Sequence, residues 1–372
     1  MNESDADLLV IGLGPAGASA AAAAAAAGAR VIALDARRAP GWPVQCAEFV
    51  PAALLQELPW LDEVAVQPIA RMRSFIAGAA PENTPHFPGL MIDRAAFDRR
   101  LTEIASGAGA RLLTGRRVVA VLPAGAGVVT ADGTSFRARA IIGADGPRSA
   151  VGAASGRINR ALVETRQLSI PFHGAGTDER AVWHDATDIF LSADYTGGYG
   201  WLFPKGRMAN LGLGLAAGAR ARLKPLLAAL HARLAAEGVL ERAALGLTGG
   251  AIPVGGRLAT VAFAGGVPLI LAGDAAGLAN PITGAGIASA VQSGRLAGAA
   301  AAAWLAGDAA ALDDLAEETA ALFDASLARA VRRRAALAAT AQPGPAALRQ
   351  GWIAFPAYWS NHFPPHPAQE VA

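Results

Sequence analysis

Four apolar residues in succession, Leu8–Ile11, precede a glycine-rich turn, and four more, Val31–Leu34, follow a run of small residues over 15–27. Short apolar runs bounded by turn residues read as buried strands, and the small-residue run between them reads as a helix. A strand, a crossover helix and a second strand make the first unit of a doubly wound parallel sheet. Helical spacing returns over 94–106, after a stretch rich in Pro, Phe and His. Strand patterns follow at Val118–Val121, 127–131 and 138–142, with Asp132-Gly133 predicted as the hairpin turn between the last two.

From about 161 to 215 the texture changes. Apolar and aromatic residues alternate with polar ones, as in 168–172 and 189–192, and turn residues are frequent. This pattern predicts an antiparallel sheet in a second domain. A helix is expected over 220–237, then a buried strand over 268–272 that runs into a glycine-rich loop and a long alanine-rich helix. A further helix is expected over 312–339, and the Pro- and aromatic-rich tail 355–367 reads as a wrapping segment. No repeat at solenoid spacing is visible.

Composition narrows the class. The chain has 372 residues, 53% hydrophobic and 17% charged, enough for one large core or two coupled domains. Its mean hydropathy of +0.33 suits an enzyme of greasy substrates or one touching a membrane. Alanine-rich stretches raise the same average without a sticky surface, so composition leaves both explanations open. Formal charge is +2, and the basic residues are scattered except for Arg332, Arg333 and Arg334, which read as the solvated face of a late helix. A nucleic-acid reader would gather them into a stripe, which excludes that role.

The single cysteine rules out an intramolecular disulfide framework and fits a reducing compartment. The start of the chain is acidic where a secretory signal is basic, and the alanine run 20–27 falls short of the roughly 20 apolar residues of a membrane span. A cytoplasmic protein is expected, with peripheral membrane contact left open. The six histidines lack zinc-site spacing, and two prolines separate His362 from His366, so no metal is expected.

Three motifs carry chemistry. The first is Gly12-x-Gly14-x-x-Gly17, with Pro15 and Ala16 inside it, placed between strand and helix. Its glycines permit a tight turn, close approach of a pyrophosphate and close helix–strand packing, and the helix start offers free N–H groups to phosphate. Asp35 ends the second strand at the spacing of a ribose-binding acid and is followed by Ala36 and Arg37. The second motif, Gly143-Ala-Asp145-Gly146-Pro-Arg148-Ser149, would read alone as an ordinary turn after a strand. The third, Gly273-Asp274, continues through Pro281, Gly284, Ala285 and Gly286 to a helix from Ile287, placing an acid and free N–H donors together.

In this order the three motifs resemble the FAD-binding signature of the para-hydroxybenzoate hydroxylase-like superfamily, over nearly the whole chain to about residue 305. The resemblance implies that Asp274 binds the flavin ribityl chain and that the Gly284–Ile287 backbone lies against the isoalloxazine. It implies that Asp35 holds the adenosine ribose, that Arg94 stands near the flavin, and that Val118, Asp145 and Gly146 belong to the cofactor set. Gly152 departs from the pattern, which often ends the middle motif in arginine. The implied fold is α/β (α+β overall): a Rossmann-like FAD-binding domain of 1–75, 93–155 and 256–305, an inserted antiparallel-sheet substrate domain of 76–92 and 156–255, and a helical C-terminal segment of 306–372.

Two further stretches resemble geranylgeranyl reductases: Pro43-Val44-Gln45-Cys46-Ala47-Glu48, and Tyr199-Gly-Trp201-Leu-Phe203-Pro204 followed by Gly212-Leu-Gly214. In that family these segments border a cavity for isoprenoid chains. Ala47 stands where those enzymes commonly have glycine, and Phe49-Val50 is bulkier than their pattern. The resemblance makes Cys46 a catalytic proton donor or gate beside the flavin, with Ala47 next to it, and makes Tyr199, Trp201, Phe203 and Pro204 substrate-binding. Read by themselves, Cys46 is a small buried hydrophobe and the aromatics are one face of a core strand.

The expected activity is reduction of carbon–carbon double bonds in a prenyl or other lipid-like, apolar substrate, with hydride from reduced flavin. The alternative is an FAD-dependent monooxygenase hydroxylating an aromatic or protein-borne ring, and a third reading is a flavin- or lipid-carrying protein without turnover. No second nucleotide domain is evident, so the electron donor is either NAD(P)H at the flavin cleft or a ferredoxin-like protein.

Overall fold

The computed structural model describes residues 5–172 and 184–360. The two opening apolar runs pair in parallel, Leu8 against Val31 and Ile11 against Leu34. Ala140–Gly143 lies along the other side of Leu8–Ile11, and Val267–Leu271 along Ala140–Gly143, both in parallel. Arg111–Leu113 extends one edge and Val261–Ala264 closes the other, giving a six-stranded sheet. Leu8, Leu9, Val10, Ile141 and Ile142 are fully buried. Strands covered on both faces read as continuous apolar runs, which is why they were legible without alternation.

One face of this sheet carries the helices Pro15–Ala26 and Ile287–Leu305, packed against each other through small residues. A Cβ on Gly294 would drive into the carbonyl oxygen of Ala16, and one on Gly298 into that of Ala20. The alanine runs that raise the mean hydropathy are therefore largely interior, where they let two helix backbones nearly touch. Gly298→Ala is expected to lower stability by roughly 1–3 kcal/mol through overpacking, read as a lower Tm in thermal denaturation.

The opposite face is covered by the three-stranded sheet of Val118–Val121, Gly127–Thr130 and Ser135–Arg137, and by Val151 and Leu327. Here one expectation is corrected. The Asp132-Gly133 turn joins Gly127–Thr130 to Ser135–Arg137, whereas Ala140–Gly143 belongs to the parallel sheet. Ser135–Arg137 is too short and too polar to stand out in the sequence.

The second sheet has eight strands, built around Leu162–Pro171, Met208–Ala216, Gly200–Lys205 and Ala186–Leu191 in antiparallel order. An earlier strand, Arg71–Ile76, joins it in parallel with Ala186–Leu191, its register pinned by the buried pair Arg73–Asp188 at 2.5 Å. A division after residue 75 falls inside this strand, so Arg71–Ile76 goes with the second sheet. One face of the sheet packs Leu202, Leu211 and Phe190 against Leu223, Leu227, Leu230 and Leu234 of the helix Leu223–Ala236. The other face carries Met72, Ile189, Trp201 and Phe203 toward the C-terminal segment.

The arginine run lies in the last turns of the helix Ala311–Ala338, and two of its members turn inward, Arg333 buried and Arg334 half-buried. Arg333 is 2% exposed and donates to the carbonyls of Tyr358, Ala357 and Ser360. Arg334 donates to the carbonyls of Pro281, at 3.1 Å, and Gly197. Loop and helix-end carbonyls, rather than water, hold these guanidinium groups. The segment after it forms the short helices Pro345–Gln350 and Pro356–Trp359. The rest of the expected wrapping tail, with His362 and His366, lies outside the described residues.

Candidate cofactor and active site

Three loops leave the carboxyl ends of three adjacent parallel strands and meet, the position at which open α/β sheets bind ligands. Gly12 has a φ of +96°, and a Cβ there would stand 3.0 Å from the Asp145 Cα. A Cβ on Gly273 would stand 2.8 Å from the Ala16 Cβ. The first loop thus touches the other two. Gly17 is equally constrained, since its Cβ would drive into the Gly12 carbonyl. Gly14 differs: nothing lies within 4 Å of the Cβ it lacks. It precedes a helix with Pro15 in the first turn and no side-chain cap, leaving the first N–H groups facing that space.

At the end of Val31–Leu34, Asp35 accepts from the Leu13 N–H through Oδ2 at 2.7 Å and from the Arg37 N–H through Oδ1 at 2.6 Å. The backbone of Gly115 and Arg116 donates to the carbonyls of Arg37 and Asp35. This places Val118, two residues on, in the same corner, with Ala36 exposed beside it.

The Cys46 segment crosses the gap to the second sheet. Gln167 Nε2 donates to the Cys46 carbonyl at 3.0 Å and Gln167 Oε1 accepts from Trp201 Nε1 at 3.0 Å. Asn210 Nδ2 reaches the Ala47 carbonyl at 3.3 Å. The Glu48 N–H points at Cys46 Sγ, 3.2 Å away, because Glu48 adopts a left-handed φ of 69°. That conformation is uncommon for a side chain other than Gly or Asn. It is held by the buried Glu48 carboxylate, which accepts from Lys205 Nζ at 2.7 Å, Asn210 Nδ2 at 3.0 Å and the Arg94 N–H at 3.1 Å.

Asp93 caps the helix Arg94–Gly107 and so fixes Arg94 at its first position. Arg94 Nε donates to Asp98 Oδ1 at 2.8 Å. Burial opposes the Arg94 charge, but Asp98 and Cys46 beside it outweigh that cost, so the guanidinium is held above its usual range. Its charge also reaches Asp274. Cys46, Arg94 and Asp274 therefore share one electrostatic neighbourhood.

Between these groups and the C-terminal segment stands an aromatic wall. Trp201 and Phe203 point to this face with Met72 and Ile189, and Tyr199 lies 4.8 Å from Trp352, ring centre to ring centre. The Tyr199 hydroxyl donates to the Thr283 carbonyl at 2.6 Å, and burial pushes its pKa up. Strand alternation turns Pro204 to the opposite face, opposite Ala209, so it drops out of the expected lining. Phe49 stacks on Phe87 at 5.4 Å and meets Phe203 edge-on. On its other side Phe49 lines a cavity of about 200 Å³ with Ala285, Gly286 and Ile287.

The chain is similar to known proteins over most of its length. A digeranylgeranylglycerophospholipid reductase of Methanocella arvoryzae is 32% identical over 296 residues, 76% of this chain and 74% of the relative. A menaquinone reductase of Mycolicibacterium smegmatis is 32% identical over 304 residues, 75% of this chain and 72% of the relative. The crystal structure of a geranylgeranyl bacteriochlorophyll reductase-like protein of Thermoplasma acidophilum superimposes with a TM-score of 0.77 at 26% identity, covering 93% of this chain and 90% of that one. The chain belongs to the geranylgeranyl reductase family. It is an FAD-dependent oxidoreductase. A probable FAD-dependent monooxygenase of Pseudomonas aeruginosa, with a TM-score of 0.62 at 20% identity, shares the fold alone. No protein-family profile matches the chain.

The geranylgeranyl reductase fold uses FAD, and the residues present fit it. The space at Gly14 admits a pyrophosphate against the helix start. Asp145 Oδ1 is buried with no partner among the described residues, while Oδ2 accepts from the Ala150 N–H at 2.7 Å. Gly286 faces Asp274 Oδ1, and an added Cβ would stand 3.1 Å from it. Where the family pattern has arginine, a side chain at Gly152 would meet the Arg157 carbonyl at 2.5 Å, so packing demands glycine there.

Sequence reasoning missed Glu48, Asn210, Gln167 and Lys205. Their function depends on partners far along the chain, and only the unexplained acid beside Cys46 could have marked the group.

Burial pushes the Asp274 pKa up to about 6, with Arg94 pulling the other way. An acid raised in the folded state binds its proton more tightly there than in the unfolded chain. Stability of the FAD-free protein should therefore fall as pH rises from 3.8 through about 6. Asp274→Asn is expected to flatten that slope and to stabilise the FAD-free protein near neutral pH by roughly 1–3 kcal/mol. Thermal denaturation of flavin-stripped protein across this range measures it.

Proposed function

We propose that this chain saturates carbon–carbon double bonds of a prenyl, lipid-like substrate, with Cys46 holding the proton that completes the reaction. The observation that carries the reading is the seating of the Cys46 segment against the aromatic wall, through Gln167 bridging the Cys46 carbonyl and Trp201 Nε1 and through Ala47 and Phe49 packed with Trp201 and Phe203. Relatives named as reductases of a digeranylgeranyl lipid and of menaquinone support an isoprenoid substrate.

When bound and reduced, FAD supplies the hydride. The chain's own residues do the rest. Gly12, Gly14, Asp35, Asp145 and Asp274 would hold the cofactor, with the Gly284–Ile287 turn beside them. Asn280 Oδ1 accepts from the N–H groups of Ile282 and Thr283, which stiffens that turn. Cys46 Sγ carries a proton toward the second alkene carbon, oriented by the Glu48 turn, and is reprotonated from solvent. Tyr199, Trp201, Phe203 and Phe49 pack along the hydrocarbon and exclude water.

The reading divides the chain into a cofactor part on the six-stranded sheet and a substrate part on the eight-stranded one. Electrons come from NAD(P)H at the cleft or from a ferredoxin-like protein, and flavin bleaching with each donor separates the two. No helix among the described residues is long and apolar enough to cross a membrane. The reading is tested by reducing the flavin without oxygen and adding a panel of prenyl and aromatic compounds. Reoxidation by alkenes with saturated product is expected. Reoxidation that needs oxygen and yields hydroxylated product would replace it with the monooxygenase.

A further inference from the structure

A second cavity, of about 290 Å³, opens beside the Cys46 segment, between Pro43 and Gln45 on one side and Arg166, Leu247, Thr248 and Gly249 on the other. Its far wall, Arg166 and Leu247–Gly249, has been given no role above. Arg166 is the charged residue of this lining, and no carboxylate lines it. The Arg166 guanidinium donates to the Thr165 carbonyl at 3.3 Å and has no acidic partner among the described residues.

The wall beside Arg166 is closely packed: a Cβ on Gly249 would stand 2.5 Å from Arg166 Nη1 and would also run into the Thr165 carbonyl oxygen. Gly250 beside it is braced through its N–H to Thr165 Oγ1 at 3.0 Å. Across the cavity Gln45 Oε1 is taken by Arg37 Nη2 at 3.2 Å, which leaves the Gln45 amide nitrogen as a donor without a partner among the described residues. The cavity therefore offers a guanidinium, an amide N–H and the Thr248 hydroxyl, a donor set suited to a tetrahedral oxyanion.

Of the lining residues Leu247 is apolar and 64% exposed. An exposed apolar side chain beside a guanidinium suits a ligand that is anionic at one end and greasy at the other.

We infer that this cavity binds the phosphate of a phosphate-bearing ligand, seated one residue from Cys46. Two sources carry that chemistry: the phosphate or diphosphate head of the prenyl substrate, and the phosphates of a nicotinamide dinucleotide donor. The inference rests on the proposed function for the identity of the ligand, not for the anion itself.

The test uses FAD-loaded protein, so that the pyrophosphate site at Gly14 is already filled. Calorimetric titration with inorganic pyrophosphate should show saturable binding that Arg166→Gln weakens roughly tenfold, as loss of a charge-assisted pair implies. Absent binding to the wild type, or equal binding to both proteins, would overturn the site. Two further arms name the source. With dithionite-reduced enzyme, a KM raised roughly tenfold for a prenyl diphosphate but unchanged for the matching prenyl alcohol assigns the substrate head. A raised apparent Kd for NADPH in flavin reduction, with prenyl KM values unchanged, assigns the donor. The pyrophosphate arm reads the same even if no alkene is ever reduced, which keeps the two proposals separable.

Discussion

Valine in place of Gly14 is expected to give a folded but colourless protein. The chain has room for the new side chain, since nothing lies within 4 Å of the position, and the Gly14 φ of −73° suits any L residue. What the valine fills is the space in front of the helix start, where phosphate oxygens would meet free N–H groups. Losing two charge-assisted hydrogen bonds of about 1.5–3 kcal/mol each should weaken FAD binding by at least roughly a hundredfold. Gly17→Val is the contrasting control, because its side chain collides with the Gly12 backbone and should prevent folding. Circular dichroism together with flavin absorbance distinguishes the two. A yellow Gly14→Val protein with normal FAD affinity would remove the basis for placing the pyrophosphate there.

Replacing Cys46 by alanine should leave the flavin bound and reducible while slowing product formation by roughly 10²–10⁴, the usual worth of a positioned proton donor. The deficit should appear when reduced enzyme is mixed with alkene in the absence of oxygen, not when oxidised enzyme is mixed with its donor. Solvent can still supply protons slowly, so turnover falls without vanishing. Unchanged turnover in Cys46→Ala would leave the thiol as no more than a small apolar side chain against the Glu48 turn.

Much of the cofactor half was legible because its signals are local. Leu8–Ile11, Pro15–Ala26 and Val31–Leu34 announce themselves through continuous apolar runs and glycine spacing, and the acids at 35, 145 and 274 follow the carboxyl ends of parallel strands as their motifs lead one to expect. Elements whose identity is set by distant partners were not legible. Arg71–Ile76 mixes arginine, serine and apolar residues, and it becomes a strand through pairing with Ala186–Leu191, some 115 residues later at the Arg73–Asp188 contact. Glu48 looks like a surface acid until Lys205, 157 residues away, is folded against it. Likewise a cluster of positive charge predicts solvent, and nothing local reveals that carbonyl groups elsewhere will displace that water from Arg333 and Arg334.

Arg334 ties the turn carrying Pro281 to the loop carrying Gly197, and its side chain is desolvated enough to lower its pKa to about 10. The glycine-rich turn before Ile287 is therefore braced from a helix that begins two dozen residues after it, at Ala311. Alanine in place of Arg334 is expected to slacken that turn while every glycine and acid of the three loops stays in place, read as weaker FAD binding by a folded protein.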